Sequence, residues 1–303
     1  MVDTQRNKAD KSMQFIDPHI HLFDRNKGHY QWLNENNQPH WPDKAIIARN
    51  FDERDLCVES PLTLKGFVHI EAGFNNEQPW LEIEWLERHV QGSFKSVGYA
   101  DITLAPFEFR RLIDRYKRYS SVVGVRHIFD DEAVELVEHP NAMTNLDYLA
   151  KAQFIFETQI DGNDFSAVDA VIKVCAENAN LVVILSHGCF APQAQEALAQ
   201  WQTNIMKLAK CPLVYMKMSG WEMVNRRYDQ THISTVISSV IKSFGHKRVM
   251  LASNFPLILF SQPYQSLWHD YQSLELGTEL LAALCYNNAA SVYGFKGLHQ
   301  DKL

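Results

Sequence analysis

The sequence predicts an α/β protein folded as one (β/α)8 barrel, the TIM barrel, in a single domain. Eight short apolar runs rich in β-branched residues recur along the 303 residues, and amphipathic segments with helical spacing separate most of them. Such alternation is typical of parallel strands covered by helices. Eight units in about 240 residues fit a barrel of about 250. A doubly wound sheet is disfavoured because no glycine-rich phosphate-binding turn follows an early strand.

The predicted elements follow one another along the chain. The strands are the eight apolar runs, at residues 15–21, 64–71, 96–102, 122–128, 154–159, 181–187, 213–219 and 248–255. The helices carry apolar residues three and four positions apart, at 80–90, 107–119, 165–179, 192–209, 234–244 and 278–293. Residues 1–14 are predicted to be a polar N-terminal tail, and 15–303 the barrel domain. The longest connection, at about 24–61, is expected to form a wall or lid of the substrate pocket.

Composition excludes several classes of function. The 29 basic and 36 acidic residues give a formal net charge of −7 without a basic block, so no nucleic-acid binding is expected. No apolar run approaches the roughly 18–20 residues of a membrane span. The five cysteines are odd in number and far apart, which is typical of a reducing compartment. We therefore expect a cytoplasmic protein that acts on a small molecule and can associate with copies of itself.

Polar residues collect at the predicted carboxyl ends of the strands, where barrel enzymes carry their catalytic groups. His19 and His21 are separated by one residue, so both point to the same side of strand one, with Asp17 lower on that face. Two imidazoles there can ligate zinc or stabilise an oxyanion. Further strands also end in polar residues, namely His69 and Glu71, Arg126 and His127, Glu157 and Gln159, Ser186 and His187, Lys217 and Ser219, and Ser253 and Asn254.

A series of short motifs extends over nearly the whole chain. They are IDPHIHLFD at 16–24, YQWL at 30–33, GVRH at 124–127, LSHG at 185–188, KMSG at 217–220, SNFP at 253–256 and NAASVY at 288–293. Together they resemble the amidohydrolase superfamily, and within it the amidohydrolase-related group that contains sugar lactonases and the pyrone dicarboxylate lactonase. The set is specific, although no single motif is.

The resemblance implies that His19, His21 and His187 line the reaction centre. In metal-bearing relatives such histidines hold a divalent ion, most often zinc, which polarises the substrate carbonyl and activates water. In the lactonase group the histidines can polarise the lactone without a metal. Strand five offers Glu157 and Gln159 where metal-dependent relatives often have Lys or His. The resemblance therefore implies one metal ion or none.

The resemblance also implies contacts with the substrate. Arg126 and Lys217 suit a carboxylate, hydroxyl or oxyanion, which arginine can bind through two parallel hydrogen bonds and lysine only as a point charge. For Arg126 the alternative is an internal ion pair with Glu157 or Glu71. The other residues expected to contact the substrate are Glu157, Tyr30 and Trp32.

Asn254 departs from the family pattern, which usually has an aspartate here to take the proton from the attacking water. An amide cannot act as a general base near neutral pH. Three interpretations stay open: His187 or Glu157 is the base, Asn254 only orients water, or hydrolysis has been lost. The sequence thus predicts a hydrolase of a lactone of a sugar acid or related carboxylated ring. The alternatives are a metal-dependent non-oxidative decarboxylase and a catalytically silent barrel that binds a small ligand.

Overall fold

The structure, a computed structural model, describes residues 12–295. Eight parallel strands follow one another in chain order around a single sheet, and each pairs with the next. They are β1 (Met13–Ile20), β2 (Leu62–Ile70), β3 (Phe94–Tyr99), β4 (Val122–Arg126), β5 (Ile155–Thr158), β6 (Val183–Leu185), β7 (Val214–Met218) and β8 (Val249–Leu251). The prediction of a (β/α)8 barrel is confirmed.

Helices pack around the sheet. They are α1 (Trp80–His89), α2 (Pro106–Tyr116), α3 (Ala133–Glu138), α4 (Ala142–Lys151), α5 (Phe165–Glu177), α6 (Gln195–Leu208), α7 (Trp221–Val224), α8 (Gln230–Phe244), α9 (Tyr264–Gln272), α10 (Thr278–Ala282) and α11 (Asn288–Val292), with a π-helical turn (Ala283–Asn287) between the last two. All six predicted helices are present. The structure adds α3, α4, α7 and α9, of which α3 and α7 have only six and four residues and so are too short for a clear helical period.

The two ends of the sheet meet beyond β8 and β1. Ile20 and Phe255 form a parallel bridge. The backbone N–H of Asn254 donates to the carbonyl oxygen of His19 at 3.0 Å, and that of His21 donates to Phe255 at 2.7 Å. These bonds nearly close the barrel, and they bring the predicted site residues of the first and last strands side by side.

Strand residues alternate between two apolar clusters. Ile155 and Tyr215 pack in a smaller cluster with Tyr293, whereas their strand neighbours pack against the outer helices. We assign the smaller cluster to the interior of the barrel, because side chains of a strand point alternately to the two faces of the sheet. Glu157 and Lys217 follow Ile155 and Tyr215 by two residues and therefore also point inward.

The long connection after β1 is tied to the barrel at several points. Phe23 pairs with Phe51 in an antiparallel bridge, and Arg226 forms an ion pair with Asp43 at 2.8 Å. Residues 1–11 of the predicted tail lie outside the described residues, and Met13 and Gln14 begin β1. None of the described helices is long and apolar enough to cross a membrane.

Candidate active site

A cavity of about 980 Å³ opens at the carboxyl ends of the strands. The loops after the strands line it, and the long connection contributes one wall. Eight of the residues singled out from the sequence line this cavity, namely His21, Trp32, Glu71, Arg126, His127, Gln159, His187 and Asn254. The carboxyl-terminal face is the end of a barrel at which active sites form.

Three histidines cluster at the base of the cavity. The ring centre of His19 lies 5.1 Å from that of His21 and 4.6 Å from that of His187. His21 donates its Nδ1 hydrogen to the Ile70 carbonyl at 2.8 Å, and His187 Nδ1 lies 3.0 Å from Ser219 Oγ. Burial lowers the pKa of all three rings, that of His187 to about 3. Arg126 acts in the same direction on all three, and Lys217 acts so on His19 and His187. The rings are therefore uncharged at neutral pH.

The backbone holds His187 and Asn254 in an unusual conformation. Their φ angles are +57° and +59°, in the left-handed region that side-chain-bearing residues rarely adopt. Gly220, with φ +70°, packs against the His187 ring, and a Cβ atom there would lie 2.7 Å from its Nδ1. Backbone strain of this kind concentrates at functional sites. The local structure thus fixes the direction of both side chains.

Arg126 forms an ion pair with Glu71, one of the two partners that the sequence left open. Its Nε donates to Glu71 Oε1 at 2.8 Å, and its Nη2 donates to the Glu71 backbone oxygen at 2.9 Å. Nη1 has no hydrogen-bond partner among residues 12–295. Because Arg126 lines the cavity, Nη1 supplies N–H donors for a bound molecule.

Lys217 and Glu157 lie inside the barrel beneath the histidines. Lys217 Nζ donates to Glu157 Oε2 at 2.6 Å, and the Tyr293 hydroxyl donates to Glu157 Oε1 at 2.6 Å. Burial lowers the pKa of Lys217 to about 8, although its neighbour Glu157 acts in the opposite direction. Neither Lys217 nor Glu157 lines the cavity. The structure places this pair under the site, where the Lys217 charge helps to lower the pKa of His19.

Asn254 is hydrogen-bonded to a carboxylate that the sequence analysis missed. Its Nδ2 donates to Glu222 Oε1 at 2.6 Å. Glu222 lies in α7, directly after β7, and is only 1% exposed. Burial raises the pKa of Glu222 to about 7, while the hydrogen bond from Asn254 acts in the opposite direction. The available signal was an acidic residue two positions after Gly220, in the loop at the active end of a strand.

Tyr30 and Trp32, both in the long connection, differ in position. Trp32 lines the cavity and donates its indole N–H to the Ala72 carbonyl at 2.8 Å. Tyr30 is buried beside Phe23 and Phe74, and its hydroxyl accepts the backbone N–H of Asp24 at 3.0 Å. The structure therefore brings Trp32, but not Tyr30, to the cavity surface.

His69, at the end of β2, points away from the cavity toward α1. Its Nε2 lies 3.0 Å from Glu82 Oε1, and its Nδ1 accepts the backbone N–H of Leu22 at 3.2 Å. Both ring nitrogens are thus engaged within the protein. This histidine connects β2 with α1 and the loop after β1.

The histidine cluster fits a metal ion only in part. Both ring nitrogens of His19 are buried without a hydrogen-bond partner among the described residues, and His21 presents Nε2 as an acceptor, as metal-binding histidines do. However, within residues 12–295 no group of three or more His, Cys, Asp or Glu side chains could hold a metal ion. The nearby cations Arg126 and Lys217 also repel another cation. As placed, these residues do not form a metal centre.

Comparison with known proteins identifies the family. A family model described as Amidohydrolase matches residues 16–295. An uncharacterized protein from Sinorhizobium fredii is 24% identical over 296 residues, which are 92% of this chain and 97% of that protein. L-fucono-1,5-lactonase from Burkholderia multivorans is 24% identical over 297 residues, which are 92% of this chain and 95% of the lactonase.

The fold has solved counterparts. The structure of an amidohydrolase from Burkholderia multivorans with bound zinc superposes with a TM-score of 0.77 at 20% identity, over 93% of this chain and 99% of that chain. At this identity the likeness shows the shared fold. Since the family model covers residues 16–295, which is more than nine-tenths of the chain, the protein belongs to the amidohydrolase family.

Proposed function

We propose that the protein hydrolyses a lactone of a sugar acid. One observation carries this proposal: His187, Arg126 and Asn254 meet in the cavity at the carboxyl ends of the strands. They offer an uncharged imidazole, free guanidinium N–H groups and an amide, which suit the attack of water on a carbonyl group.

In the proposed reaction a water molecule attacks the lactone carbonyl carbon. His187, with its Nδ1 hydrogen donated to Ser219, accepts the water proton at Nε2. Arg126 Nη1 donates to the carbonyl oxygen and stabilises the negative charge that develops on it. The tetrahedral intermediate then breaks the bond between the carbonyl carbon and the ring oxygen, and His187 returns its proton to that oxygen. The product is an open-chain hydroxy acid.

The charges around the cavity favour an uncharged, hydroxyl-rich ring over a carboxylated one. Besides Arg126, the lining contains the four carboxylates Glu71, Asp130, Asp131 and Asp161, and no lysine. Glu71 forms an ion pair with Arg126, and the three other acids give the lining an excess of negative charge, which repels an anionic substrate. The carboxylates can accept hydrogen bonds from sugar hydroxyl groups. The similarity to L-fucono-1,5-lactonase also supports a sugar lactone as the substrate.

The proposal includes the cytoplasm as the place of action. All five cysteines are free thiols, including the buried Cys189 and Cys285. A reducing compartment maintains thiols in this state. Association with further copies of the chain stays a prediction.

Hydrolysis of a panel of sugar and pyrone lactones, followed with a pH indicator, tests the proposal. Turnover of a sugar lactone that His187→Ala abolishes would support it. Turnover that His187→Ala leaves unchanged would contradict the proposed role of this residue. Release of carbon dioxide with tightly bound metal would instead indicate a decarboxylase. Thermal stabilisation by a lactone without turnover would indicate a silent binding protein.

A further inference from the structure

Glu222 is a buried acid outside the cavity lining whose hydrogen-bonding capacity is only partly used. Oε1 accepts from Asn254 Nδ2 at 2.6 Å, and Oε2 is buried without a hydrogen-bond partner among residues 12–295. Two backbone features hold Asn254 beside it: the left-handed conformation and the N–H bond to the His19 carbonyl at 3.0 Å. The side-chain amide is the part of Asn254 that the Glu222 carboxylate contacts.

The hydrogen-bonding chemistry of the Glu222 carboxylate determines which end of the Asn254 side-chain amide faces it. An ionised carboxylate only accepts hydrogen bonds, so it must face the Nδ2 end of Asn254. The carbonyl oxygen Oδ1 then lies on the other side of the amide, and Asn254 lines the cavity. An amide turned the other way would present N–H donors there. Glu222 therefore determines whether Asn254 offers the cavity an acceptor or a donor.

We propose that Glu222 is a positioning residue that holds the Asn254 amide with Oδ1 toward the cavity, where Oδ1 accepts a hydrogen bond from the attacking water. The inference rests on the proposed lactone hydrolysis. It explains how the site works without an aspartate on the last strand. Here the acid lies behind the cavity surface, and it acts through an amide that orients water while His187 takes the proton.

The surroundings of Glu222 make this orientation depend on pH. The groups that act on its carboxylate are its own backbone N–H, the Asn254 side-chain amide and the Arg226 charge. Burial, with the Glu222 carboxylate acting in the same direction, raises the pKa of the neighbouring Tyr228 and Tyr271 hydroxyls, which therefore stay protonated around pH 7. Burial raises the pKa of Glu222 to about 7. A protonated carboxyl group could donate to Oδ1 and turn the amide. We therefore expect kcat to rise with pH through about 7.

The test compares three variants on a lactone that the wild-type enzyme hydrolyses. In Glu222→Gln the new amide can pair with either end of Asn254, so kcat should fall about tenfold, as the loss of one oriented hydrogen bond predicts, with KM unchanged. The rise in kcat near pH 7 that is expected for the wild type should be absent in this variant. The double variant Glu222→Gln with Asn254→Asp exchanges acid and amide, and it should recover at least the lost activity. Unchanged kcat and pH profile in Glu222→Gln would overturn the inference.

Tyr271→Phe is the matched control for damage to the same segment. The Tyr271 hydroxyl accepts the indole N–H of Trp221, the first residue of α7, at 2.8 Å, and does not line the cavity. This variant should lower the melting temperature and leave kcat, KM and the pH profile unchanged. A loss of kcat equal to that of Glu222→Gln would mean that Glu222 only supports the fold, and it would overturn the inference.

A measurement without turnover separates this inference from the proposed function. The side-chain amide signals of Asn254 in a ¹H–¹⁵N NMR spectrum can be assigned by their loss in Asn254→Asp. In the wild-type protein one pair of signals should shift with pH near 7, and Glu222→Gln should remove that shift. If no lactone is hydrolysed, the proposed function fails and this result still supports the orientation. Signals that do not respond to pH or to Glu222→Gln would overturn it.

Discussion

Lys217 Nζ lies 2.6 Å from Glu157 Oε2, and neither side chain has any exposed surface. Water therefore neither screens the attraction between the two charges nor replaces either partner, so each charge is compensated by the other. The Tyr293 hydroxyl occupies the second carboxylate oxygen at 2.6 Å. The ion pair thus connects β5, β7 and the C-terminal helical segment below the histidine cluster.

Removing one member of this pair should be more damaging than removing both. Lys217→Met leaves Glu157 as an uncompensated buried charge and should lower the free energy of unfolding by about 3–5 kcal/mol. The double variant Lys217→Met with Glu157→Gln should recover much of that loss, because no buried charge is left. Urea unfolding followed by circular dichroism measures both. Equal stability of the single variant and the wild type would contradict the burial described here.

Activity should not depend on a tightly bound metal ion. The three imidazoles do not form a metal-binding group with other described side chains, and Arg126 and Lys217 raise the local positive potential. Dialysis against a chelator should leave kcat unchanged, and elemental analysis should find far less than one zinc per chain. A chelator-treated enzyme that regains activity only with stoichiometric zinc would show that the histidines rearrange around an ion.

His187 should make the protein less stable in acid. Burial, followed by Arg126 and Lys217, lowers its pKa from 6.5 to about 3. Between these two values the unfolded chain binds a proton that the folded chain does not, so stability falls as the pH decreases. The contribution is at most about 1.4 kcal/mol for each pH unit.

The variant His187→Gln isolates this effect. Its free energy of unfolding, measured in urea from pH 7.5 to pH 4, should decrease less steeply than that of the wild type. The exposed His246 offers a control, and His246→Gln should leave the slope unchanged. Parallel curves for His187→Gln and the wild type would mean that the ring already takes up a proton in the folded state.

Acidic residues around the cavity should select against charged substrates. Asp131 lines the cavity and is exposed, so Asp131→Lys should raise kcat/KM for a carboxylated lactone by roughly fivefold relative to an uncharged one. Asp169→Lys, on the exposed surface of α5 away from the cavity, makes the same change in net charge. Equal effects of both variants would show that total charge, and not the cavity, determines the preference.

The fold and the location of the site could be predicted because both depend on periodicity. Apolar runs define the strands, and parallel strands place their carboxyl ends at one edge, which is where His21, Arg126, His187 and Asn254 meet. Hydrogen-bond partners between distant elements follow no period. The sequence left two acids open for Arg126, and only the structure identifies Glu71.

Tyr30 and Glu222 both show that side-chain partners cannot be predicted from periodicity. Tyr30 was assigned to the site and does not reach it, whereas Glu222 was not assigned and contacts a cavity residue. Tyr30 lies in an aromatic-rich connection, but its side chain fills the space beside Phe74 instead of reaching the cavity. Glu222 was overlooked because α7 has only four residues and no legible pattern. Its importance depends on the amide of Asn254, which is adjacent in space and remote in sequence.

The bonds that join β8 to β1 have a consequence for how the protein matures during synthesis. The backbone N–H of Asn254 is hydrogen-bonded to the His19 carbonyl oxygen, so the candidate site contains residues from both the first and the last strand of the barrel. A chain still on the ribosome carries His19 long before Asn254 has been made. Under the proposed function the protein therefore cannot hydrolyse a lactone until translation is nearly complete, and a fragment that ends before β8 should be inert however well its first strands pair.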